Sequence, residues 1–196
     1  MGILGGSFDP VHMGHLILAE TALAHLGLEQ LLLLPAGRPA HKRRSALAPV
    51  AHRLAMLRLA VRGNPKLRVS RLEADRPGIT FTVRTLETLA KAGSAELFFL
   101  MGEDSLREFD TWREPDRILE LARLAVVPRA TVLPMRLRPA VRRRVVFVPM
   151  PLIEISSTEI RRRVRRRLGV RYWVPDAVLT YMDRHGLYRT GKSSPA

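Results

Sequence analysis

The chain has 196 residues, of which 46% are hydrophobic and 26% charged, as is usual for a globular protein with a sizeable apolar core. It contains no cysteine, which excludes disulfides, thiolate metal sites and a cysteine nucleophile. Lysine and arginine total 33 against 18 acidic residues, and the resulting net charge of +15 favours anionic partners such as nucleotides, nucleic acids or membrane surfaces.

No segment of the sequence resembles an export signal or a membrane anchor. The apolar N-terminus lacks a basic region and is broken by the glycines and proline of residues 5–10. No apolar run approaches the roughly 18 residues that a membrane-spanning helix requires. We therefore expect a cytoplasmic protein that does not enter a membrane.

Short apolar runs alternate with segments whose apolar residues have helical spacing. In chain order they predict strand 2–4, helix 16–26, strand 31–34, helix 49–61, strand 67–69, helix 82–91, strand 97–100, helix 116–121, strands 124–127 and 145–148, and helices 157–168 and 175–185.

This alternation predicts an α/β fold: a Rossmann-like, doubly wound parallel sheet with a small C-terminal helical portion. We expect one domain over residues 1–189, with the helical portion at about 157–189, and a flexible polar tail at 190–196. The connection 35–49 is long, as functional loops often are. The connection 129–144 is basic, and we expect it to be a poorly packed surface segment.

A glycine-rich turn with two histidines follows the first predicted strand. Residues 5–15 read Gly-Gly-Ser-Phe-Asp-Pro-Val-His-Met-Gly-His. Ligands of doubly wound sheets bind at the carboxyl ends of the strands, where glycines and a helix N-terminus let backbone N–H groups approach a phosphate. His12 and His15 can both face one ligand from the first helical turn, and Gly14 leaves the approach clear. By itself, the segment is also compatible with a capped turn that carries two surface histidines.

A second motif, Ile-Ser-Ser-Thr-Glu-Ile-Arg at residues 155–161, lies late in the chain. Ser156 and Glu159 have the spacing of a capping box, so a well-capped helix start explains the pattern fully. The same helix start also suits a phosphate, because Ser157 and Thr158 supply hydroxyls and Arg161 supplies a cation one turn later. The presence of the first motif favours the phosphate interpretation.

Together the two motifs resemble those of the nucleotidylyltransferase superfamily, and bacterial nicotinate-nucleotide adenylyltransferase is the member that matches best. The resemblance extends from residue 2 to about residue 189. Further similar segments are Pro-Ala-His-Lys at 39–42, Thr-Phe-Thr-Val-Arg-Thr-Leu at 80–86, Gly-Glu-Asp-Ser at 102–105 with Trp112, Val-Pro-Asp-Ala-Val at 174–178 and Gly-Leu-Tyr at 186–188. Arg84 stands where that family usually has aspartate, and this extra cation suits an acidic acceptor.

The resemblance implies a reaction that moves AMP from ATP to nicotinate mononucleotide in NAD biosynthesis, with Mg²⁺ as the cofactor and pyrophosphate as the second product. Catalysis would rest on positioning and charge stabilisation, because the acceptor's phosphate attacks the α-phosphate directly. The implied ATP-binding residues are Gly5, Gly6, Ser7, Phe8, His12, His15, Gly102, Asp104, Ser157, Thr158 and Arg161, of which His12, His15 and Arg161 would be catalytic. The implied acceptor-binding residues are Lys42, Thr82, Thr85 and Trp112, and none is assigned to a metal.

Three alternatives stay open at this point. A sister enzyme, such as phosphopantetheine adenylyltransferase or a cytidylyltransferase, would share the histidine motif but should lack the Lys42 loop and the Trp112 segment. A basic nucleic-acid-binding protein would explain the charge and the arginines of residues 161–167, although aromatic residues are only 6% of the chain. A relative with a decayed site is disfavoured by the intact His12, His15, Asp104 and Arg161. The sequence leaves homo-oligomerisation open.

Overall fold

The computed structural model describes residues 1–37, 47–93, 96–128 and 136–189. Its strands and helices alternate along the chain, as the sequence predicts. In order they are β1 (Gly2–Gly6), α1 (Met13–His25), β2 (Leu31–Pro35), α2 (Val50–Ala60), β3 (Leu67–Val69), α3 (Thr82–Ala92), β4 (Leu97–Gly102), α4 (Glu103–Arg107), α5 (Pro115–Leu121), β5 (Ala122–Val127), α6 (Pro139–Arg144), β6 (Val145–Phe147), α7 (Ser157–Arg165) and α8 (Asp176–Arg184).

The strands form one six-stranded sheet in the order β3-β2-β1-β4-β5-β6. Every pairing is parallel. The chain therefore starts at the middle of the sheet, winds outward to β3, and returns to the other side of β1 at β4. Such a reversal opens a crevice between the carboxyl ends of β1 and β4, where ligands of doubly wound folds bind. The predicted Rossmann-like class is confirmed.

Helices cover both faces of the sheet, and β4 shows why. Its side chains alternate in direction, so Phe98 and Leu100 join the core beneath α1, α2, α7 and α8. Phe99 and Met101 join the opposite core, with α3, α5 and α6. The C-terminal helices α7 and α8 thus belong to the same core as α1, while the tail 190–196 lies outside the described residues.

Two predicted boundaries need correction near the first motif. The predicted strand at 2–4 continues through Gly5 and Gly6, which pair with Leu34 and Pro35. The predicted helix at 16–26 begins earlier, at Met13, because the backbone of residue 12 is extended and caps it. The glycines therefore belong to the end of a strand, and His15 lies in the first turn of a helix.

The prediction that residues 129–144 form a poorly packed segment is wrong for its second half. Residues 139–144 are helical as α6, in which Val141 is only 1% exposed. Arg144 donates from Nε to the carbonyl oxygen of Leu119 at 2.8 Å. One buried valine among arginines gives too weak an apolar pattern to reveal this helix from sequence, and residues 129–135 lie outside the described residues.

Within the described part of the chain, no helix combines the length and the apolar character needed to cross a bilayer.

Candidate active site

The turn between β1 and α1 forms the floor of the site. Phe8 adopts a left-handed backbone with φ of 46° and is 1% exposed. Its ring lies so close to Gly6 that a Cβ at position 6 would be 3.2 Å from it. The ring also contacts His15, with 4.9 Å between the ring centroids. A side chain at position 6 would therefore crowd the inward-packed ring of Phe8, which contacts the histidine.

His12 and His15 lie side by side at the start of α1. Their ring centroids are 3.7 Å apart. The backbone N–H of His12 donates to Nδ1 of His15 at 3.2 Å. Because that nitrogen accepts, the proton of a neutral His15 must be on Nε2, which can donate to a phosphate oxygen. A Cβ at Gly14 would lie 3.2 Å from Nδ1 of His12, which explains the glycine between the histidines.

His12 is a neutral imidazole in this setting. Its side chain is 6% exposed, and burial lowers its pKa to about 4. Its Nδ1 is buried and has no hydrogen-bond partner among the described residues. Near neutral pH, therefore, His12 offers a hydrogen-bonding nitrogen and contributes no positive charge to the site.

The first turn of α7 packs directly against the glycine-rich turn. Ser156 caps the helix, accepting from the backbone N–H of Glu159 at 3.2 Å. The predicted reciprocal arm of a capping box is replaced by two hydrogen bonds from Arg162 to the Glu159 carboxylate, at 2.6 and 2.9 Å. Ser157 donates to the carbonyl oxygen of Pro10 at 2.9 Å. The two sequence motifs, far apart in the chain, thus meet in one place.

Arg161 extends from α7 into the same turn. Its Nη1 donates to the backbone carbonyl of Asp9 at 2.7 Å and lies 3.7 Å from the Asp9 carboxylate. Its Nη2 donates to the hydroxyl of Thr158 at 3.3 Å. The side chain is 13% exposed, so these contacts hold a largely buried guanidinium at the edge of the turn.

A cavity of about 570 Å³ opens beside the end of β1. Gly5, Gly6, Ser7, Thr82 and Trp112 are among the residues that line it. This places three predicted ATP-binding positions and two predicted acceptor-binding positions in one hollow.

Aromatic contacts fix the indole of Trp112 in the wall of this cavity. It meets Phe99 edge-on at 5.9 Å and lies 5.7 Å from the ring of Phe109, between centroids. Arg113, the next residue, also lines the cavity, and its guanidinium carbon lies 4.8 Å from the Phe81 ring centroid. A flat anionic ring would find both an aromatic surface and a cation here.

Thr85 has a different position from the one the sequence suggests. It is 1% exposed, and its hydroxyl donates to the Glu73 carboxylate at 2.8 Å. Glu73 lines the cavity, and burial raises its pKa. Thr85 therefore supports the cavity through Glu73, which the sequence analysis did not single out.

Two further predicted residues, Gly102 and Asp104, lie where β4 ends and α4 begins. Gly102 ends β4, next to β1, and Asp104 lies exposed in the first turn of α4. Lys42, the predicted phosphate-binding base, lies outside the described residues. Within the described ranges, no group of three or more histidine, aspartate or glutamate side chains is arranged to hold a metal ion.

Three side chains around the turn were given no role by the sequence analysis. Arg53, in α2, is 2% exposed and donates to the carbonyl oxygen of Ser7 at 2.8 Å. Asp9 is 0% exposed, and the Tyr188 hydroxyl donates to it at 2.7 Å. Asp9 and Tyr188 stood in recognised motifs, whereas Arg53 carried no signal beyond being a cation beside apolar helix positions.

Three of the six arginines in residues 161–167 make contacts within the protein. Arg161 enters the turn, Arg162 pairs with Glu159, and Arg163 lies 4.8 Å over the ring of Trp173. These contacts remove much of the support for a nucleic-acid-binding face along α7.

Known proteins resemble this chain in both sequence and structure. Residues 3–163 match the cytidylyltransferase-like family. A probable nicotinate-nucleotide adenylyltransferase of Thermomicrobium roseum is 50% identical over 97% of this chain and 92% of its own length. Among solved structures, the nicotinic acid mononucleotide adenylyltransferase of Plasmodium falciparum has the same fold. Its complex with APC gives a TM-score of 0.77 at 17% identity, over 95% of this chain and 96% of that one.

The complex of the Plasmodium falciparum protein with NaAD gives a TM-score of 0.76 at 16% identity, over the same shares of the two chains. At such low identities the solved structures support only the fold, whereas the 50% identical bacterial relative identifies the family. The chain therefore belongs to the cytidylyltransferase-like family and, within it, to the nicotinate-nucleotide adenylyltransferases.

Proposed function

We propose that this chain transfers the adenylyl group of ATP to nicotinate mononucleotide and releases pyrophosphate. The observation that carries the proposal is the meeting of three features at the carboxyl end of β1. These are the histidine pair, the first turn of α7 with Arg161, and the cavity lined by Thr82 and Trp112. The histidines and Arg161 suit a triphosphate, and the cavity suits a flat anionic acceptor. Because these groups are neighbours, the two substrates would bind next to each other.

The reaction needs no covalent intermediate on the protein. A phosphate oxygen of the acceptor bonds to the α-phosphorus of ATP, and the bond from that phosphorus to the bridging oxygen breaks. Pyrophosphate leaves with the bonding electrons. The protein contributes alignment and stabilisation of the charge that spreads over the phosphoryl oxygens.

Each predicted residue then has a physical task. His15 donates from Nε2 to a phosphate oxygen, and neutral His12 adds a second hydrogen-bonding nitrogen. Arg161, held at the edge of the turn, supplies a fixed positive charge for the departing phosphates. Trp112 offers its face to the pyridine ring, and the helix start at Thr82 offers backbone N–H groups to the carboxylate.

The other assignments complete the proposal. Gly102 and Asp104, at the end of β4, would bind the ribose of ATP, and Lys42 would bind the acceptor's phosphate. Mg²⁺ in nucleotide sites is bound largely through substrate phosphates. The ion would reach the protein on the phosphates of ATP and would neutralise part of their charge. We also place the protein in the cytoplasm, where ATP is available.

Pyrophosphate release tests the proposal directly. ATP and Mg²⁺ are supplied with nicotinate mononucleotide, nicotinamide mononucleotide or phosphopantetheine in separate assays, and we expect release with nicotinate mononucleotide. Release with phosphopantetheine in its place would assign the chain to the sister activity, and no release with any of them would refute the proposal.

The histidine pair supplies the matched variants for this assay. His15→Ala should lower turnover by at least about 100-fold, because a phosphate donor in the transition state is lost. His25→Ala changes an exposed histidine of the same helix and should leave turnover within about 2-fold. Equal rates for the two variants would contradict the catalytic role of His15.

A further inference from the structure

A buried carboxylate lies at the centre of the turn that carries the histidines. Asp9 is 0% exposed. Its Oδ1 accepts from the backbone N–H of Ala48 at 3.2 Å and from the Tyr188 hydroxyl at 2.7 Å. Its Oδ2 is buried and has no hydrogen-bond partner among the described residues, but it lies 3.7 Å from Nη1 of Arg161. A carboxylate that is fully buried and has one oxygen without a hydrogen bond is stabilised by positive charge nearby.

Two arginines supply that charge. Nη1 of Arg161 lies 3.7 Å from the Asp9 carboxylate. Arg53 interacts with the same carboxylate electrostatically: burial lowers the Arg53 pKa, and the negative charge of Asp9 partly offsets this by raising it. Arg53 is anchored by hydrogen bonds to the carbonyl oxygens of Ser7 and Ala48, at 2.8 and 3.1 Å. One carboxylate between two guanidinium groups leaves the cluster with a net positive charge, which suits an anionic ligand.

Tyr188 reaches this cluster from the far end of the chain, 179 positions away. Its backbone is left-handed, with φ of 65°. Burial and the nearby Asp9 raise its pKa, so the hydroxyl keeps its proton and donates to the carboxylate. The hydrogen bond fixes which carboxylate oxygen faces Ala48 and which faces Arg161.

We propose that Asp9 is a positioning residue that orients Arg161 toward the β- and γ-phosphates of ATP, and that Tyr188 orients Asp9. The proposal rests on the proposed function of the site. Arg161 carries three restraints: the carbonyl oxygen of Asp9, its carboxylate, and the hydroxyl of Thr158. A guanidinium held this way loses little conformational freedom when the triphosphate binds, which favours both binding and alignment.

Asp9→Asn is the sharpest perturbation, because it keeps the size of the side chain and the acceptor at Oδ1. It removes the negative charge and places an amide donor opposite the guanidinium of Arg161. We expect kcat/KM for ATP to fall about 10- to 100-fold, while KM for nicotinate mononucleotide stays within about 2-fold. Equal losses for ATP and for the acceptor, or no loss for either, would overturn the proposal.

A double variant shows whether Asp9 acts by positioning Arg161 or whether its replacement damages the structure in general. In an Arg161→Ala background, Asp9→Asn should change kcat/KM for ATP by less than about 2-fold, since the group it orients is absent. If the fold-loss in kcat/KM for ATP of the double variant equals the product of the two single losses, Asp9 acts independently of Arg161 and the proposal is overturned.

Tyr188→Phe is the milder variant in case Asp9→Asn does not fold. It keeps the ring and removes one hydrogen bond, and we expect a loss of about 3- to 10-fold confined to ATP. Tyr172→Phe is the control, because Tyr172 is 80% exposed in the same part of the chain. A Tyr188→Phe enzyme that matches Tyr172→Phe would contradict the role of Tyr188.

Affinity for a nonhydrolysable ATP analogue, measured by calorimetry, keeps the proposal separate from the choice of acceptor. We expect Asp9→Asn to weaken this affinity about 10-fold. Wild-type protein that binds the analogue but fails with nicotinate mononucleotide would refute the proposed function and leave the positioning role intact. Unchanged affinity in the variant would refute the positioning role even if the wild type is active.

Discussion

Burial of His12 makes the stability of this protein depend on pH in a defined window. An exposed histidine has a pKa of about 6.5, and burial lowers that of His12 to about 4. Between these values the unfolded chain binds a proton that the folded chain excludes. The free energy of unfolding therefore falls as the pH falls from about 6.5 to about 4.

The size of the effect follows from the two pKa values. The difference between the two pKa values corresponds to a total loss of roughly 3 kcal/mol in the free energy of unfolding. About 2.5 kcal/mol of this is lost between about pH 7 and about pH 4.5. Replacing His12 by asparagine removes the titrating group and retains a short polar side chain. Between these two pH values, we expect the free energy of unfolding to fall by about 2.5 kcal/mol less in the variant than in the wild type.

Urea unfolding of both proteins at the two pH values gives the required difference. Other groups titrate in this range, but they are shared by the two proteins and cancel in the comparison. His25→Asn, at an exposed position of α1, should retain the wild-type dependence. The reasoning is refuted if His12→Asn shows the same dependence as the wild type, because His12 would then protonate equally in both states.

Three further predictions concern packing around the site. Gly14→Ala should lower turnover about 10-fold with a folded protein, because the added Cβ lies 3.2 Å from Nδ1 of His12; steady-state kinetics with circular dichroism checks this. Trp112→Ala should raise KM for the acceptor more than KM for ATP, and an effect confined to ATP would exclude stacking on the acceptor. Thr85→Val should destabilise the fold by about 1–3 kcal/mol in urea, because the buried Glu73 carboxyl loses its hydrogen bond; a variant as stable as the wild type would contradict this.

The sequence predicted those parts of the molecule whose signal is local. The four central strands, β1, β2, β4 and β5, appear as short apolar runs, because strands covered on both faces need few polar positions. The start of α7 was marked by the hydroxyl residues around Ser156, whereas α1 begins three residues before the predicted start, although its histidines had been singled out. The same local features carried the resemblance, so the residues around both motifs were found before the structure was known.

The sequence did not predict interactions that join distant segments. Asp9 and Tyr188 are 179 positions apart, and Arg53 and Ser7 are 46 apart. Neither periodicity nor capping patterns relate such positions, because only the folded sheet brings them together. For a related reason, the sequence did not reveal that the Thr85 hydroxyl donates to the buried Glu73, 12 positions earlier.

These distant contacts change how the site obtains its charge. Burial keeps His12 neutral near neutral pH, so it adds no positive charge to the turn. The guanidinium groups of Arg161 and Arg53 lie at the same turn. In the proposed reaction, a phosphate group would meet the positive charge of Arg161, which is held against the buried Asp9, and the hydrogen bonds of the histidines. The arrangement thus separates the binding of charge from the alignment of the reacting phosphates, and it does so through side chains drawn from both ends of the chain.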